Sequence, residues 1–148
     1  GTQLHELAAK LIEAKQDIPD RGKTFDMYVN DAIRYGLKPE QILYYSENCF
    51  GTADAIRFDE KEYFLRIHDL KTCVTPASMH QLEIYAALFF LEYDLPVNEV
   101  EMELRLYQND DILISNPTVV DIAPIMDKIV TFDILIEQIK KENDENGT

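Results

Sequence analysis

The sequence predicts an α/β fold in which a central mixed β-sheet of about five strands is flanked by helices. Three observations carry this reading. Leu4, Leu7, Ala8, Leu11 and Ile12 recur at helical spacing over residues 2–14. Further on the period drops to two, most clearly where Val100, Met102, Leu104 and Leu106 alternate with Glu101, Glu103, Arg105 and Tyr107. A long apolar helix over residues 78–93 interrupts the strands, so helices and strands are interleaved.

The elements follow in order. After the first helix, residues 16–23 hold Pro19 and Gly22 and read as a loop. Thr24 is placed to cap a second helix over residues 25–35, which ends at Gly36 and Pro39. Residues 42–47 form a short apolar, tyrosine-rich strand. Residues 52–58 and 63–71 follow as a hairpin around the polar Asp59-Glu60-Lys61 turn. Thr75-Pro76 has the form of a cap followed by a first-turn proline and would start the helix of residues 78–93, closed before Pro96. The strand at 100–107 pairs back to residues 112–115 across Gln108-Asn109-Asp110-Asp111. A last helix covers residues 121–141. The order is helix, helix, three strands, helix, two strands, helix: one domain over residues 1–141 with a ragged acidic tail at 142–148.

Composition narrows the function classes. With 148 residues, 46% of them hydrophobic, and only 5 Gly and 6 Pro, the chain can build a core and is neither disordered nor fibrous. Its longest apolar run, residues 84–91, is far short of the roughly 20 residues that cross a bilayer. The reading is no membrane partner and a cytoplasmic setting. Cys49 and Cys73 are too few for a disulfide framework, a four-thiolate zinc site or an iron–sulfur cluster. The net charge of −14 argues against holding nucleic acid by blanket phosphate neutralisation. Any such role must rest on a local basic strip, a bound cation or a partner.

The chemistry concentrates on residues 63–71. Tyr63, Leu65, Ile67, Asp69 and Lys71 share one strand face, so Asp69 and Lys71 extend a buried stripe, while Arg66 and His68 fall on the other face and read as solvated. Burying a carboxylate and an ammonium is costly unless they are paired or bind metal. A structural ion pair is one reading. The preceding strand adds another carboxylate, Asp54. With residues 56 and 67 as approximate hairpin partners, Asp54 and Asp69 come near one another. Two such carboxylates repel unless a cation joins them, and oxygen ligands of this kind suit Mg²⁺ or Mn²⁺. Lys71 would stand beside that cation.

Gly51-Thr52-Ala53-Asp54, Ile67-His68-Asp69-Leu70-Lys71 and Gln81-Leu82-Glu83-Ile84-Tyr85 resemble, in order, the G-x-x-D, D-x-K and Q-x-x-x-Y motifs of the PD-(D/E)XK nuclease superfamily, in particular its RecB-like and phage-exonuclease branch. Gly1-Thr2-Gln3-Leu4-His5-Glu6-Leu7 is similar to that branch's histidine-bearing opening. The resemblance covers nearly two-thirds of the chain. It implies a restriction-endonuclease-like core and a deoxyribonuclease that produces 5′-phosphate and 3′-hydroxyl ends, more in keeping with an exonuclease or end-processing enzyme than a site-specific endonuclease. It assigns His5, Asp54, Asp69 and the Leu70 carbonyl to one or two Mg²⁺ or Mn²⁺ ions, Lys71 to catalysis, and Gln81 and Tyr85 to orienting the lysine or the DNA strand. The setting implied is recombination, repair or replication, in the host cytoplasm for a phage protein.

Each residue also has a plainer reading. His5 can be a capping or surface histidine, Glu6 a solvated acid, Tyr85 a core residue and Gln81 a helix-surface amide. Glu47 is a candidate second acid, and His80 a candidate phosphate contact. Arg21-Gly22-Lys23-Thr24 has the tail of a phosphate-binding loop but lacks the earlier glycine and a leading strand, so it reads as a basic turn. Lys10, Arg21, Lys23, Arg57, Arg66 and Lys71 are the basic residues expected near the site, few enough to imply weak intrinsic DNA affinity. The alternative is a catalytically silent module of the same fold that binds a basic partner in a recombination or replication complex. A small-phosphoester hydrolase is a third reading. An oligomer is compatible with all three.

Overall fold

A computed structural model describes residues 2–147, without the side chain of Thr2; Gly1 and Thr148, and with them the start of the histidine-bearing motif, lie outside the described residues. The elements are α1 (Thr2–Glu13), α2 (Thr24–Arg34), β1 (Lys38–Ser46), β2 (Cys49–Asp59), β3 (Phe64–Leu70), α3 (His80–Tyr93), β4 (Glu101–Gln108), β5 (Asp111–Ser115) and α4 (Val119–Asn146), with one 3-10 turn at Val97–Glu99. The five strands form one mixed sheet in the order β1-β2-β3-β4-β5. β3 and β4 are parallel and the other neighbours antiparallel. The parallel pair needs a crossover, and α3 supplies it. The predicted fold class is the observed one.

Two layers of side chains sandwich the sheet. On one face α1 and α2 bury Ala8, Ile12, Tyr28, Val29 and Ala32 against Ala55, Leu70 and Tyr107. On the other, α3 and α4 pack Leu82, Ala86, Phe90, Ile122 and Ile129 over Ile56, Leu65, Ile67 and Leu104. Helix α3 is apolar nearly all round because it lies between the sheet and α4. Within α1 the burial is narrow: Ala8 and Ile12 are buried while Leu4 and Leu7 stay exposed.

The structure corrects several expectations. His68 is fully buried rather than solvated, and Arg66 is half-buried, because β3 is an interior strand paired on both edges and covered on both faces. Tyr63 is not part of that strand; its backbone is left-handed (φ 51°) and it closes the β2–β3 turn. Thr24 is the first residue of α2 rather than its cap, and its hydroxyl donates to Asp110 Oδ1 on the β4–β5 turn (3.1 Å). Thr75-Pro76 does not start α3, which begins at His80, where the backbone N–H bonds Ser78 Oγ (3.1 Å). β1 extends back through Pro39, which an edge strand tolerates because one row of its N–H groups has no ladder partner. Finally α4 runs on to Asn146, so residues 142–146 are helical. Its start carries a reciprocal cap between Thr118 and Asp121.

Candidate functional site

The β2–β3 hairpin pairs Ile56 with Ile67 and Ala55 with His68, and there its ladder ends. Asp54 and Asp69 are the next pair along this register. At that point the Asp54 side chain replaces a backbone acceptor: Leu70 N–H donates to Asp54 Oδ2 (2.8 Å). The strands part just where the two carboxylates meet.

Helix α1 brings His5 to this gap. Its Nε2 donates to the Leu70 carbonyl (2.7 Å) and lies 3.4 Å from Asp54 Oδ2. Asp69 is 2% exposed, and its buried Oδ2 has no hydrogen bond, with Lys71 Nζ 3.2 Å away. Burial first, and the Asp54 charge second, push the Asp69 carboxyl up to about 7, against the pull of Lys71. From Lys71 a chain of donors runs onto α3: Lys71 Nζ donates to Gln81 Oε1 (3.1 Å), and Gln81 Nε2 donates to Tyr85 Oη (2.8 Å). Gln81 and Tyr85 share a helix face one turn apart, as their spacing predicts.

Gly51 closes the arrangement. A Cβ there would stand 2.9 Å from Tyr85 Cε1, so the glycine is required for space, to let the ring lie against β2. The first and last residues of the quoted motifs are therefore in contact.

The donor set can be tested against a hard divalent cation. Neighbouring ligands on an octahedral ion with bonds of about 2.1 Å sit roughly 3 Å apart. The distances from His5 Nε2 to Leu70 O and to Asp54 Oδ2 bracket that value. Two adjacent carboxylates, one of them buried, add the negative charge such an ion would neutralise. Ligation by His5 would require its Nε2 proton to move to Nδ1. Among the described residues no group of three or more His, Cys, Asp or Glu side chains stands in a metal-holding arrangement. The spacings of roughly 3 Å are those of His5 with Asp54 and with the Leu70 carbonyl; Asp69 stands beside them, turned to Lys71.

Other candidates fall away from this centre. Glu47 sits in the β1–β2 turn, seven residues before Asp54 along an extended segment and so roughly 20 Å off. Glu6 is exposed, and the exposed His80 faces Glu83 Oε1 (3.5 Å). Of the six basic residues expected nearby, five stand against carboxylates: Arg21 with Asp26, Lys23 with Asp110, Arg57 with Asp59, Arg66 with Glu103 and Lys71 with Asp69.

The sequence did not reveal what lies beneath. Tyr28 of α2 is 2% exposed, and burial, then the charges of Asp54, Asp69 and Glu40, push its phenol well above the usual range. Behind Asp69, Tyr107 Oη donates to Asp31 Oδ2 (2.6 Å) and sits 3.4 Å from His68 Nδ1. Tyr107 spends its one proton on Asp31, so His68 Nδ1–H is the donor in that pair, and Nε2 is left a buried acceptor without a partner. Only the doubly buried character of an interior strand could have flagged this network.

Comparison of the chain with protein-family models, with curated proteins and with solved structures returned no significant match.

Proposed function

We propose that this chain is a metal-dependent deoxyribonuclease that hydrolyses phosphodiester bonds, acting at DNA ends. One observation carries the reading: residues drawn from positions 5 to 85 meet at the point where β2 and β3 separate. They join a carboxylate pair to a lysine, a histidine and a backbone carbonyl. A structural ion pair needs only Asp69 and Lys71. It gives no reason for a second carboxylate against the first, which raises the Asp69 carboxyl rather than settling it.

The residues divide the work. Asp54, Asp69, the Leu70 carbonyl and His5 would hold Mg²⁺ or Mn²⁺; when bound, the ion supplies Lewis-acid charge to the scissile phosphate and the attacking water. Lys71, between Asp69 and Gln81, presents its ammonium to the negative charge that grows on the phosphoryl oxygens. Gln81 fixes that ammonium, and Tyr85 fixes Gln81. Water adds to phosphorus, the P–O3′ bond breaks, and the leaving 3′-oxygen takes a proton, giving 5′-phosphate and 3′-hydroxyl ends.

Linear and circular DNA incubated with the chain and Mn²⁺ or Mg²⁺ test this. Loss of linear DNA, abolished by Lys71→Ala, is expected. Intact DNA at high enzyme, with Mn²⁺ binding demonstrated by calorimetry, would overturn it. The commitment of five nearby basic residues to carboxylates favours a second reading, a silent module that binds a basic partner. No Mn²⁺ binding dependent on Asp54 and Asp69 would select that reading.

A further inference from the structure

Helix α4 is apolar on two sides, and the fold covers only one of them. Ile122 and Ile129 are buried in the core shared with α3. Further along, the helix is tied to the β1–β2 turn. Ser46 Oγ and Asn48 Nδ2 donate to Asp133 Oδ1 (2.6 and 2.8 Å), and Asn48 Nδ2 also donates to Glu137 Oε1 (2.8 Å). Lys140 Nζ donates to Asn48 Oδ1 (2.6 Å). These contacts fix how the helix is rotated. At 3.6 residues per turn, Phe132, Leu135 and Ile139 lie roughly 130° round the helix from them. All three stand in solvent, 49, 51 and 43% exposed.

The stripe has a defined form. Lys128, Phe132, Leu135, Ile139 and Glu142 follow one another at intervals of four, three, four and three residues. That repeat holds one seam along a helix packed against another helix. The apolar middle is bounded by one charge of each sign, and each charge stands two turns, or about 10 Å, from Leu135. Among the described residues neither Lys128 nor Glu142 makes an ion pair. The charged residues between them do not reach the stripe. Asp133, Glu137 and Lys140 are held at the turn, and Lys141 falls on the far side of the helix.

This pattern is complementary to itself in one orientation. Two copies of α4 laid antiparallel about a two-fold axis through Leu135 set Lys128 of each against Glu142 of the other, with Phe132 of each over Ile139 of the other. Laid parallel, they would set lysine on lysine and glutamate on glutamate, which disfavours that arrangement. The net charge of −14 opposes association in general. At physiological salt, however, screening acts over ~8 Å, so the pairs at the seam outweigh charges elsewhere on the surface.

We propose that the outer face of α4, centred on Leu135, is a self-association surface that takes a second copy of this chain in antiparallel orientation. Three half-exposed apolar side chains per copy are few for a permanent interface, so the dimer forms reversibly with concentration. The contact uses none of the residues at the carboxylate centre and is independent of the nuclease reading.

Sedimentation equilibrium of the whole chain at physiological salt tests the surface. The mass should rise from 17.2 kDa toward twice that value as concentration is raised through the micromolar range. Leu135→Glu should abolish the rise. Lys128→Glu and Glu142→Lys each place like charges across the seam twice and should weaken dimerisation about tenfold. The double exchange Lys128→Glu/Glu142→Lys should restore it. Ile134→Gln removes a side chain just as exposed (55%) but off the stripe, and should leave dimerisation unchanged. Melting curves show that each variant is folded, and the charge exchanges at exposed positions decide the matter even where Leu135→Glu does not fold. A chain that stays monomeric throughout overturns the proposal and leaves the stripe to a different protein. It is equally overturned by a dimer that the single exchanges do not weaken, that the double exchange does not restore, or that Ile134→Gln weakens as strongly as Leu135→Glu.

Discussion

Gly51 and Tyr85 are in contact across a gap that only a glycine leaves open: the Tyr85 ring edge occupies the volume a Cβ at position 51 would need, at 2.9 Å. Because Tyr85 anchors Gln81 and Gln81 anchors Lys71, the glycine is coupled to the lysine through two hydrogen bonds. Gly51→Ala should therefore cost about 1–3 kcal/mol in stability through overpacking. It should also slow DNA cleavage by at least about tenfold, since misplacing a positioning group weakens catalysis steeply. Denaturant titration and single-turnover cleavage measure the two effects. Unchanged cleavage in a folded variant would uncouple Tyr85 from the lysine.

The pH dependence of Asp69 has a definite sign. Its carboxyl is raised to about 7 in the folded chain, above the unfolded value near 4. The folded state thus holds the extra proton between these values, and this contribution to stability, present at pH 4, is lost as pH rises through about 7. Asp69→Asn carries no such term. The variant should gain on the parent as pH rises from 4 to 7 in metal-free buffer, by a few kcal/mol. Paired urea titrations across that range check it; parallel profiles would refute the buried, acid-paired environment.

His68 acts in the opposite direction over nearly the same window. Burial first, then the charges of Arg105 and Arg66, lower its pKa to about 3, below the usual 6.5. Its contribution is present above 6.5 and is lost as pH falls toward 3. Whole-chain stability mixes the two opposing terms, so the clean readout is spectroscopic. The His68 ring resonances should stay unchanged from pH 8 down to about pH 4. A titration near neutrality would show that the ring is not enclosed between Tyr35 and Tyr107.

Divalent metal should stabilise the chain independently of any activity. At Mn²⁺ about a hundredfold above its Kd, mass action contributes about 2.7 kcal/mol. For a domain of this size that raises Tm by roughly 5–10 °C. EDTA should reverse the shift, and Asp54→Asn should abolish it. A melting temperature indifferent to Mn²⁺ and Mg²⁺ would remove the cation from the site.

Much of this site was legible because the chemistry lies on a hairpin. A polar turn and a two-residue period fix which residues face one another, and the Ile56–Ile67 pairing followed from them. Gln81 and Tyr85 could be read from one helical turn. His68 could not. Its alternation with Asp69 assigns it to the opposite face, but only the pairing of β3 with β4 and the cover of α2 decide that this face is dry as well. Long-range ties such as Thr24 with Asp110 and Ser46 with Asp133 leave no local trace either.

Helix α1 supplies His5 but anchors itself to the sheet through a stripe centred on Ala8 and Ile12. With so narrow a buried stripe, α1 is expected to release at a lower free energy than disrupting β2 and β3 requires. Amide protons of α1 should accordingly exchange before those of the sheet. Each such excursion would carry the imidazole away from Leu70 and leave the carboxylates in position, so a cation held there would answer to the docking of twelve helical residues rather than to the survival of the whole domain.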